Sequence, residues 1–404
     1  MRKKRLLFSM SGILMFGMMF YSCSKDLSTD QTSDLLKASP VNVSLTPIEQ
    51  LGKGIYFDKI SSPNSMACAD CHAPSTGFTG PMAGINIHGS VYRGADAQNF
   101  GNRKPPSAAY ATFSPKLHYE MDGDDVLFIG GNFWDGRATG ERLGSPAAEQ
   151  ALGPFLNPAE HNLPDMKSVL MKIAKSKYSS MWTTVWGEPL KYETDQEIRD
   201  NYDRVGLSIA AYEASAEVNQ FSSKFDYVQM GLASFTDEEA LGFALFNDED
   251  KGKCALCHLS EGNQPLFTDF TFDNLGVPKN PENPVYKNNP GYIDPGLGGF
   301  LASRTDYKMY ADDNMGKHKV PTLRNVDKRP GNGFTKAYMH NGVFKSLKEV
   351  VHFYNTRDVA SWPEPEFAQN VNHEELGNLG LSDAEENAIV AFMKTLSDGY
   401  VNKR

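Results

Sequence analysis

The 404-residue chain is sparing with cysteine, with long apolar runs and with clustered positive charge. Its 40 Lys and Arg are outnumbered by 50 Asp and Glu, for a formal charge of −10, and they form no basic block beyond the first five residues. That argues against a nucleic-acid partner, which needs a concentrated positive field. Beyond the N-terminus no segment approaches membrane-spanning length. No alternating strand pattern is sustained either, which leaves a mainly α class with long loops. The length gives room for two domains, since one core of this size would be unusual.

What the N-terminus does hold is a targeting signal. Met1-Arg2-Lys3-Lys4-Arg5 is a cationic start, and residues 6–21 form a short apolar run. Together they read as a signal peptide over 1–22. The run closes on Phe20-Tyr21-Ser22-Cys23, a small residue before cysteine as in a lipobox. Cys23 would then be cleaved and acylated, although Phe20 stands where an aliphatic residue is usual. The expectation is an exported lipoprotein, anchored in the membrane through Cys23 on the periplasmic side or at the cell surface. A plain signal peptide is the alternative. Residues 23–44, rich in Ser, Thr, Asp and Gln, read as a flexible tether.

The other four of the five cysteines lie in two pentapeptides, Cys68-Ala69-Asp70-Cys71-His72 and Cys254-Ala255-Leu256-Cys257-His258. C-x-x-C-H is the attachment signature of c-type haem: two thioethers to the porphyrin and a histidine to the iron. A single such run could be half a zinc site or a redox dithiol. Two of them in an exported chain point to two covalent haems, with axial ligands His72 and His258. The cysteine count then closes, with one lipid anchor, four thioethers and nothing left for a disulfide.

Each motif follows the same local pattern. Thr46-Pro47-Ile48-Glu49 is a capping box with proline at the first helical position, followed by Leu51-Gly52. Thr236-Asp237-Glu238-Glu239 is a second box, followed by Leu241-Gly242, and the motifs are trailed by Phe78-Thr79 and Phe267-Thr268. This duplicated helix–loop–haem unit predicts two cytochrome c-like domains, 45–225 and 226–404, with the boundary near 222–234. Helical spacing over 208–218 closes the first. Capping boxes at Ser346 and Ser382 open the last two helices, the final one running to about Leu396. The long Gly/Pro/Asn-rich stretches 80–106, 130–158 and 260–320 read as functional loops.

Among those loops are Phe133-Trp134-Asp135-Gly136-Arg137, Glu149-Gln150-Ala151-Leu152-Gly153-Pro154 and Asn157-Pro158-Ala159-Glu160. With the two haem motifs, in this order, the chain resembles the bacterial diheme cytochrome c peroxidase superfamily, which includes the methylamine-utilisation protein MauG. The resemblance covers about residues 45–400. It implies that the haem on Cys68, Cys71 and His72 is the peroxide-binding one, that Glu160 is the catalytic glutamate with Gln150 and Pro154 beside it, and that Trp134 carries electrons between the haems. The loop between Trp134 and Gln150 is longer than in the shorter members. Independently of the family, heterolysis of a peroxide needs a group that takes a proton from one oxygen and returns it to the other. A carboxylate whose pKa is raised by an apolar pocket can do both. The bland reading of Glu160 alone is a helix-start residue.

Three further positions follow from the resemblance. His88, 16 residues after His72, stands where many members have a distal histidine that blocks the first iron until reduction. It reads either as that ligand or as a loop histidine touching nothing. Lys319-Val320-Pro321-Thr322-Leu323-Arg324-Asn325 and Tyr338-Met339-His340-Asn341-Gly342 are landmarks of the second haem. Fourteen residues after His340, where most members place a methionine ligand, this chain has Tyr354, as in the MauG-like subgroup. A phenolate stabilises the ferric state relative to a thioether. Tyr354 also falls at helical spacing with Leu347, Val350 and Val351, and so could be simple core; Met339 is a competing ligand. Many relatives hold calcium between the domains, and Thr335 and Ala337 match its carbonyl positions. Lys104 replaces the expected asparagine and offers no acceptor, which places calcium in doubt.

The implied activity is reduction of hydrogen peroxide to water by a cytochrome-c peroxidase-type oxidoreductase. Electrons would come from a small cytochrome or cupredoxin through the C-terminal haem and Trp134. The alternative is MauG-like long-range oxidation of a partner protein or small molecule through a high-valent diheme state, which Tyr354 favours. A non-catalytic electron carrier is a third reading, against which Glu160, Gln150 and Pro154 stand. The family's habits allow a homodimer.

Overall fold

A computed structural model describes residues 44–402, Asp124 excepted. The signal peptide, Cys23 and nearly all of the tether lie outside these residues. The described chain is mainly helical.

The capping boxes open helices where the sequence predicts them. Pro47–Phe57 starts behind Thr46, whose backbone N–H donates to Glu49 at 2.6 Å. Asp237–Asn247 starts behind Thr236, which donates to Glu239 at 2.7 Å and accepts from its N–H at 3.2 Å. Leu347–Thr356 and Asp383–Lys394 follow Ser346 and Ser382 in the same manner, the last ending just short of Leu396. Each box satisfies amide donors that the first helical turn would leave unpaired.

The repeated Leu-Gly pair has a packing reason. Pro47–Phe57 crosses the helix Asp195–Ala214, and a Cβ on Gly52 would lie 1.8 Å from the Ser208 carbonyl oxygen. Asp237–Asn247 crosses Asp383–Lys394, and a Cβ on Gly242 would lie 1.9 Å from the Ala388 oxygen. Only glycine lets these backbones touch, so both haem units rest on one kind of helix crossing.

Around the first crossing Leu51, Ile55, Tyr56, Phe155, Trp182 and Ile209 form one buried core. Around the second, Phe246, Phe267, Phe392 and Leu396 gather on Phe225, and Leu347, Val351, Phe353 and Ile389 form an adjoining layer. Each such side chain contributes roughly 1.5–3 kcal/mol when fully buried. A smaller core joins Leu117 and Phe128 to Phe272, Leu297 and Leu301, so segments from both sides of the expected boundary share it. Phe225, assigned from sequence to the end of the first unit, packs edge-on against Phe267 and Phe392 of the second.

Two local differences from the sequence reading have simple causes. The helix expected over 208–218 begins much earlier, after Thr194, and ends at Ala214. Its first half is charged and largely solvent-facing, so apolar spacing appears only near Val205. An antiparallel hairpin, His118–Asp122 with Asp125–Ile129, interrupts the helical chain, with His118 opposite Ile129. Its first strand alternates polar residues with Tyr119 and Met121, but both are exposed and five residues are too few to sustain a strand pattern.

Candidate active site

Each C-x-x-C-H run folds as a tight 3₁₀ turn, Cys68–Asp70 and Cys254–Leu256, and the histidine N–H then bonds back to the first cysteine's carbonyl at 2.9 Å in both units. The Phe-Thr pair completes the cradle. Phe78 and Phe267 adopt left-handed backbone angles (φ 57° and 52°), which aims their carbonyls at His72 and His258. Nδ1 of His72 lies 3.2 Å from the Phe78 oxygen, and Nδ1 of His258 lies 2.8 Å from that of Phe267. A donor bond at Nδ1 fixes the tautomer and leaves Nε2 as the lone pair. Burial lowers both imidazole pKa values, that of His72 to about 4, so the rings stay neutral. The cysteines form no disulfide, and burial holds Cys71 and Cys254 as thiols with pKa pushed up to about 12. Two thiols and a neutral imidazole on one turn are the donor set that c-type haem needs, so these residues fit the group at both places.

The duplication reaches further than the haem motifs. Thr79 and Thr268 donate to the carbonyls of Pro105 and Val320 at 2.6 and 2.7 Å. Ser107 and Thr322 bond back to Gly77 and Leu266. Two arms then cross over. Phe133 and Met339 share a positive φ (65° and 67°), as do Gly136 and Gly342 (72° and 69°). The arms are closed by the bridges Asn132–Ala138 and Tyr338–Phe344. The Lys319 N–H donates to the Trp134 carbonyl at 2.9 Å, and the Lys104 N–H donates to the His340 carbonyl at 2.7 Å. Trp134 and His340 therefore occupy equivalent places in arms that each dock on the other half. Trp134 is buried, its Nε1–H donates to the Lys104 carbonyl at 2.8 Å, and it borders the cavity that holds Cys254, Cys257 and His258.

Pro146–Leu156 is a helix on which Gln150 and Pro154 lie one turn apart on a shared face. Glu149 ties the preceding loop down by accepting from the N–H groups of Gly140, Arg142 and Leu143. After the helix, Asn157 accepts from the Ala159 N–H at 2.9 Å and donates to the Glu160 carboxylate at 3.1 Å. The Glu160 carbonyl accepts from Ala95 at 2.6 Å. Burial raises the Glu160 pKa, against smaller downward pulls from Arg137 and from the Asn157 bond. The same carboxylate helps to raise the Cys68 and Cys71 thiol pKa values electrostatically, behind the larger effect of burial. Arg137 stacks on Phe133 at 3.6 Å and is held by Asp135.

Tyr354 borders the second cavity with Cys254, Cys257 and His258, and also packs on the neighbouring core. Burial, and then the Cys257 and Cys254 sulfurs, raise its phenol pKa well above the ordinary value. Met339 borders the same cavity while packing on that core. His88 lies elsewhere: its side chain is 67 % exposed and its Nδ1 meets Glu282 at 2.6 Å, so it is not gathered with the first-haem residues. The calcium positions do not fit that ion. The Thr335 carbonyl accepts from Asn86 at 3.1 Å, and the buried Lys104 ammonium donates to Thr79 and Pro105 at 3.0 Å each. A second buried ammonium, Lys336, donates to the carbonyls of Thr76, Asn325 and Lys328.

Sequence reasoning missed Arg103, which bridges Asp135 and Asp294 at 2.6 Å each. It also missed the stacked pair His318 and His340, whose ring centroids lie 3.6 Å apart. No spacing motif links these residues.

Two thiol–imidazole cradles, each with the donor set of a c-type haem, are the signature of a dihaem c-type oxidoreductase. A family model described as di-haem cytochrome c peroxidase matches residues 47–234. The chain is 32 % identical over 373 residues to methylamine utilization protein MauG of Paracoccus denitrificans, covering 86 % of this chain and 88 % of that one. It is 28 % identical over 372 residues to the cytochrome-c peroxidase IdrP2 of Denitromonas iodatirespirans, covering 87 % and 82 %. Its fold matches the crystal structure of the diheme peroxidase BthA from Burkholderia thailandensis with TM-score 0.73 and 29 % identity, covering 88 % and 87 %. The chain belongs to the dihaem cytochrome c peroxidase and MauG superfamily, whose members bind two c-type haems. Among the described residues no helix is long and apolar enough to cross a membrane.

Proposed function

We propose that the protein reduces hydrogen peroxide to water at the haem on Cys68, Cys71 and His72, with Glu160 as the proton carrier. The observation that supports this is the buried Glu160 carboxylate, held by Asn157, with its pKa raised by burial and its charge felt by the Cys68 and Cys71 thiols. The haems supply the redox equivalents. Glu160, ionised, takes a proton from one peroxide oxygen and returns it to the departing oxygen. Two electrons and two protons per peroxide then yield two waters. Gln150 and Pro154 shape the space beside the substrate and restrict water. The group held by Cys254, Cys257 and His258 would take electrons from a small cytochrome or cupredoxin, with Trp134, which borders that cavity, as the relay. The hydrogen bond from its Nε1 to Lys104 and the one from Lys319 to its carbonyl tie it to the loops that buttress both cradles. With His88 exposed and paired to Glu282, this reading requires no reductive activation. The protein is exported and anchored through Cys23.

A second reading is favoured by Tyr354: oxidation of a partner protein or small molecule, since a phenol at the second cradle suits retention of oxidising equivalents over uptake of electrons. Stopped-flow mixing of the dihaem protein with peroxide and a reduced small cytochrome separates the two. Rapid cytochrome oxidation, slowed in Trp134→Phe, supports the first. Persistence of the peroxide-oxidised protein with cytochrome left reduced supports the second. Consumption of no peroxide under either condition would remove both.

A further inference from the structure

We propose that the groove lined by Lys53, Lys59, Lys172, Lys175 and Lys177 is a docking site for the acidic face of a small one-electron redox protein, which delivers its electrons at the first haem unit. Such a port rests on the peroxidase reading above and is separate from the second cavity. The groove encloses about 1030 Å³ where the helices Pro47–Phe57 and Met166–Ala174 meet the connection leading to the helix Ser180–Trp186. That is room for a protruding segment of a partner rather than for a single ion.

The groove's charge runs against that of the chain. The whole sequence carries −10, yet Asp58 is the only acid on the groove wall among the described residues. Asp58 is already engaged, accepting from the Tyr178 hydroxyl and from the Lys59 N–H at 2.8 Å each. Lys53 pairs with Glu217 at 2.5 Å, and Lys172 meets the neutral Asn64 side chain. No carboxylate among the described residues pairs with Lys59, Lys172, Lys175 or Lys177, and all but Lys172 of these four are fully exposed. Helix polarity accounts for two of them. Lys172 and Lys175 sit at the C-terminal end of Met166–Ala174, where a cation is favourable. Lys177 lies just before the N-terminal end of Ser180–Trp186, where a cation is not. Like charges gathered in a cleft repel one another and focus a positive field into it, which an acidic partner relieves on arrival.

The apolar part of the wall says which kind of partner. Phe57 and Met171 share the groove with the lysines and are 43 % and 38 % exposed. Apolar contact beside a charged rim is the anatomy of a protein–protein interface, in which the rim steers and the apolar part holds. A concave wall also suits a convex protein better than a flat lipid surface. Phe57 leads inward: its ring centroid lies 5.3 Å from that of the buried Tyr56, whose hydroxyl donates to the His72 carbonyl at 2.8 Å. A partner seated on Phe57 therefore stands one buried side chain away from the residue that would hold the first iron. Two such partners in turn, each oxidised by one electron, supply with two protons what one peroxide needs to become two waters.

The test uses the dihaem protein, with the soluble domain of cytochrome b5, an acidic one-electron haem protein, as the probe. Titration calorimetry with the oxidised probe is expected to show one probe bound per chain at ~10 mM ionic strength, where charges are felt over ~30 Å. The complex should be lost at ~150 mM, where that distance is ~8 Å. Lys172→Glu combined with Lys175→Glu should weaken binding ~10-fold or more, whereas Lys308→Glu, exposed and outside the groove, should leave it unchanged. In stopped flow with peroxide, oxidation of the reduced probe should slow ~10-fold or more in the double variant. Each rate is taken relative to that protein's own rate with hydroquinone, an uncharged donor that needs no docking. No complex at low salt, or equal binding by the double variant and Lys308→Glu, overturns the proposal whether or not peroxide is consumed. Failure of the peroxidase reading shows separately, as no peroxide consumption with hydroquinone. Unchanged probe oxidation in the double variant puts the entry elsewhere and overturns the proposal too. So does binding to phosphatidylglycerol vesicles that the double variant loses, with no probe complex, which assigns the groove to a lipid surface.

Discussion

Replacing Gly242 by alanine tests the structural basis of the duplication. The added Cβ would stand 1.9 Å from the Ala388 carbonyl oxygen and 2.9 Å from the Phe392 Cβ. Real side chains do not approach a carbonyl that closely, so the two helices must part by more than an ångström. The obstacle is backbone within a helix, which has no rotamer by which to yield. Overpacking of this kind costs ~1–3 kcal/mol, and the top of that range applies to a rigid obstacle. Alanine returns ~1 kcal/mol of helix propensity. The net loss is ~2 kcal/mol, or a thermal midpoint lower by ~4–8 °C for a unit of this size. The damage falls on Phe392, which packs on Phe246 and Phe267 in the core that touches Cys254. Thermal unfolding of the dihaem protein, followed at the haem absorption band and by circular dichroism, reads the effect. Gly84→Ala is the control, because a Cβ there meets nothing within 4 Å. A Gly242→Ala midpoint equal to that of the control would refute the crossing as the support of the haem unit.

Asp226→Asn should be among the most destabilising single changes. It strips the carboxylate from the fully buried Arg324, which binds it at 2.7 and 2.8 Å, and the expected loss is ~3–5 kcal/mol by denaturant titration. A loss below about 1 kcal/mol would contradict this. Tyr354→Phe should change the oxidised absorption spectrum of the second haem only, and an unaltered spectrum would return Tyr354 to the core. The pH profile of kcat/KM for peroxide follows from the raised pKa of Glu160. The ionised form accepts the proton, so activity falls as pH drops through that raised value. The acidic limb therefore lies above the ordinary carboxylate range, and a limb within that range would count against Glu160.

Much of this was legible in the sequence because the informative features are local. Each cradle is a pentapeptide with a capping box before it and a Phe-Thr pair after it. The reason for the Phe-Thr pair, a carbonyl aimed at the histidine from a left-handed backbone, emerges only in three dimensions. The crossing arms were not legible. Phe133-Trp134-Asp135-Gly136 and Met339-His340-Asn341-Gly342 share backbone angles and a closing bridge but only one residue type. His88 had two readings because its partner, Glu282, is 194 residues away in sequence. The cluster of Asp294, His318, His340 and Glu366 has no spacing signature, since loops rather than one helix or strand assemble it. The helix Met166–Ala174 was missed although its buried face, Val169, Leu170 and Ile173, is regular, because it sits within a polar connection.

The central claim is that Glu160 moves the proton when peroxide is cleaved at the first haem. Glu160→Gln keeps the size of the side chain and removes its basicity. Measured by stopped-flow peroxide consumption at neutral pH, with both haems shown to be attached and the thermal midpoint unchanged, the rate should fall by ~10²–10⁴. A rate within a few-fold of the unsubstituted protein would contradict the account.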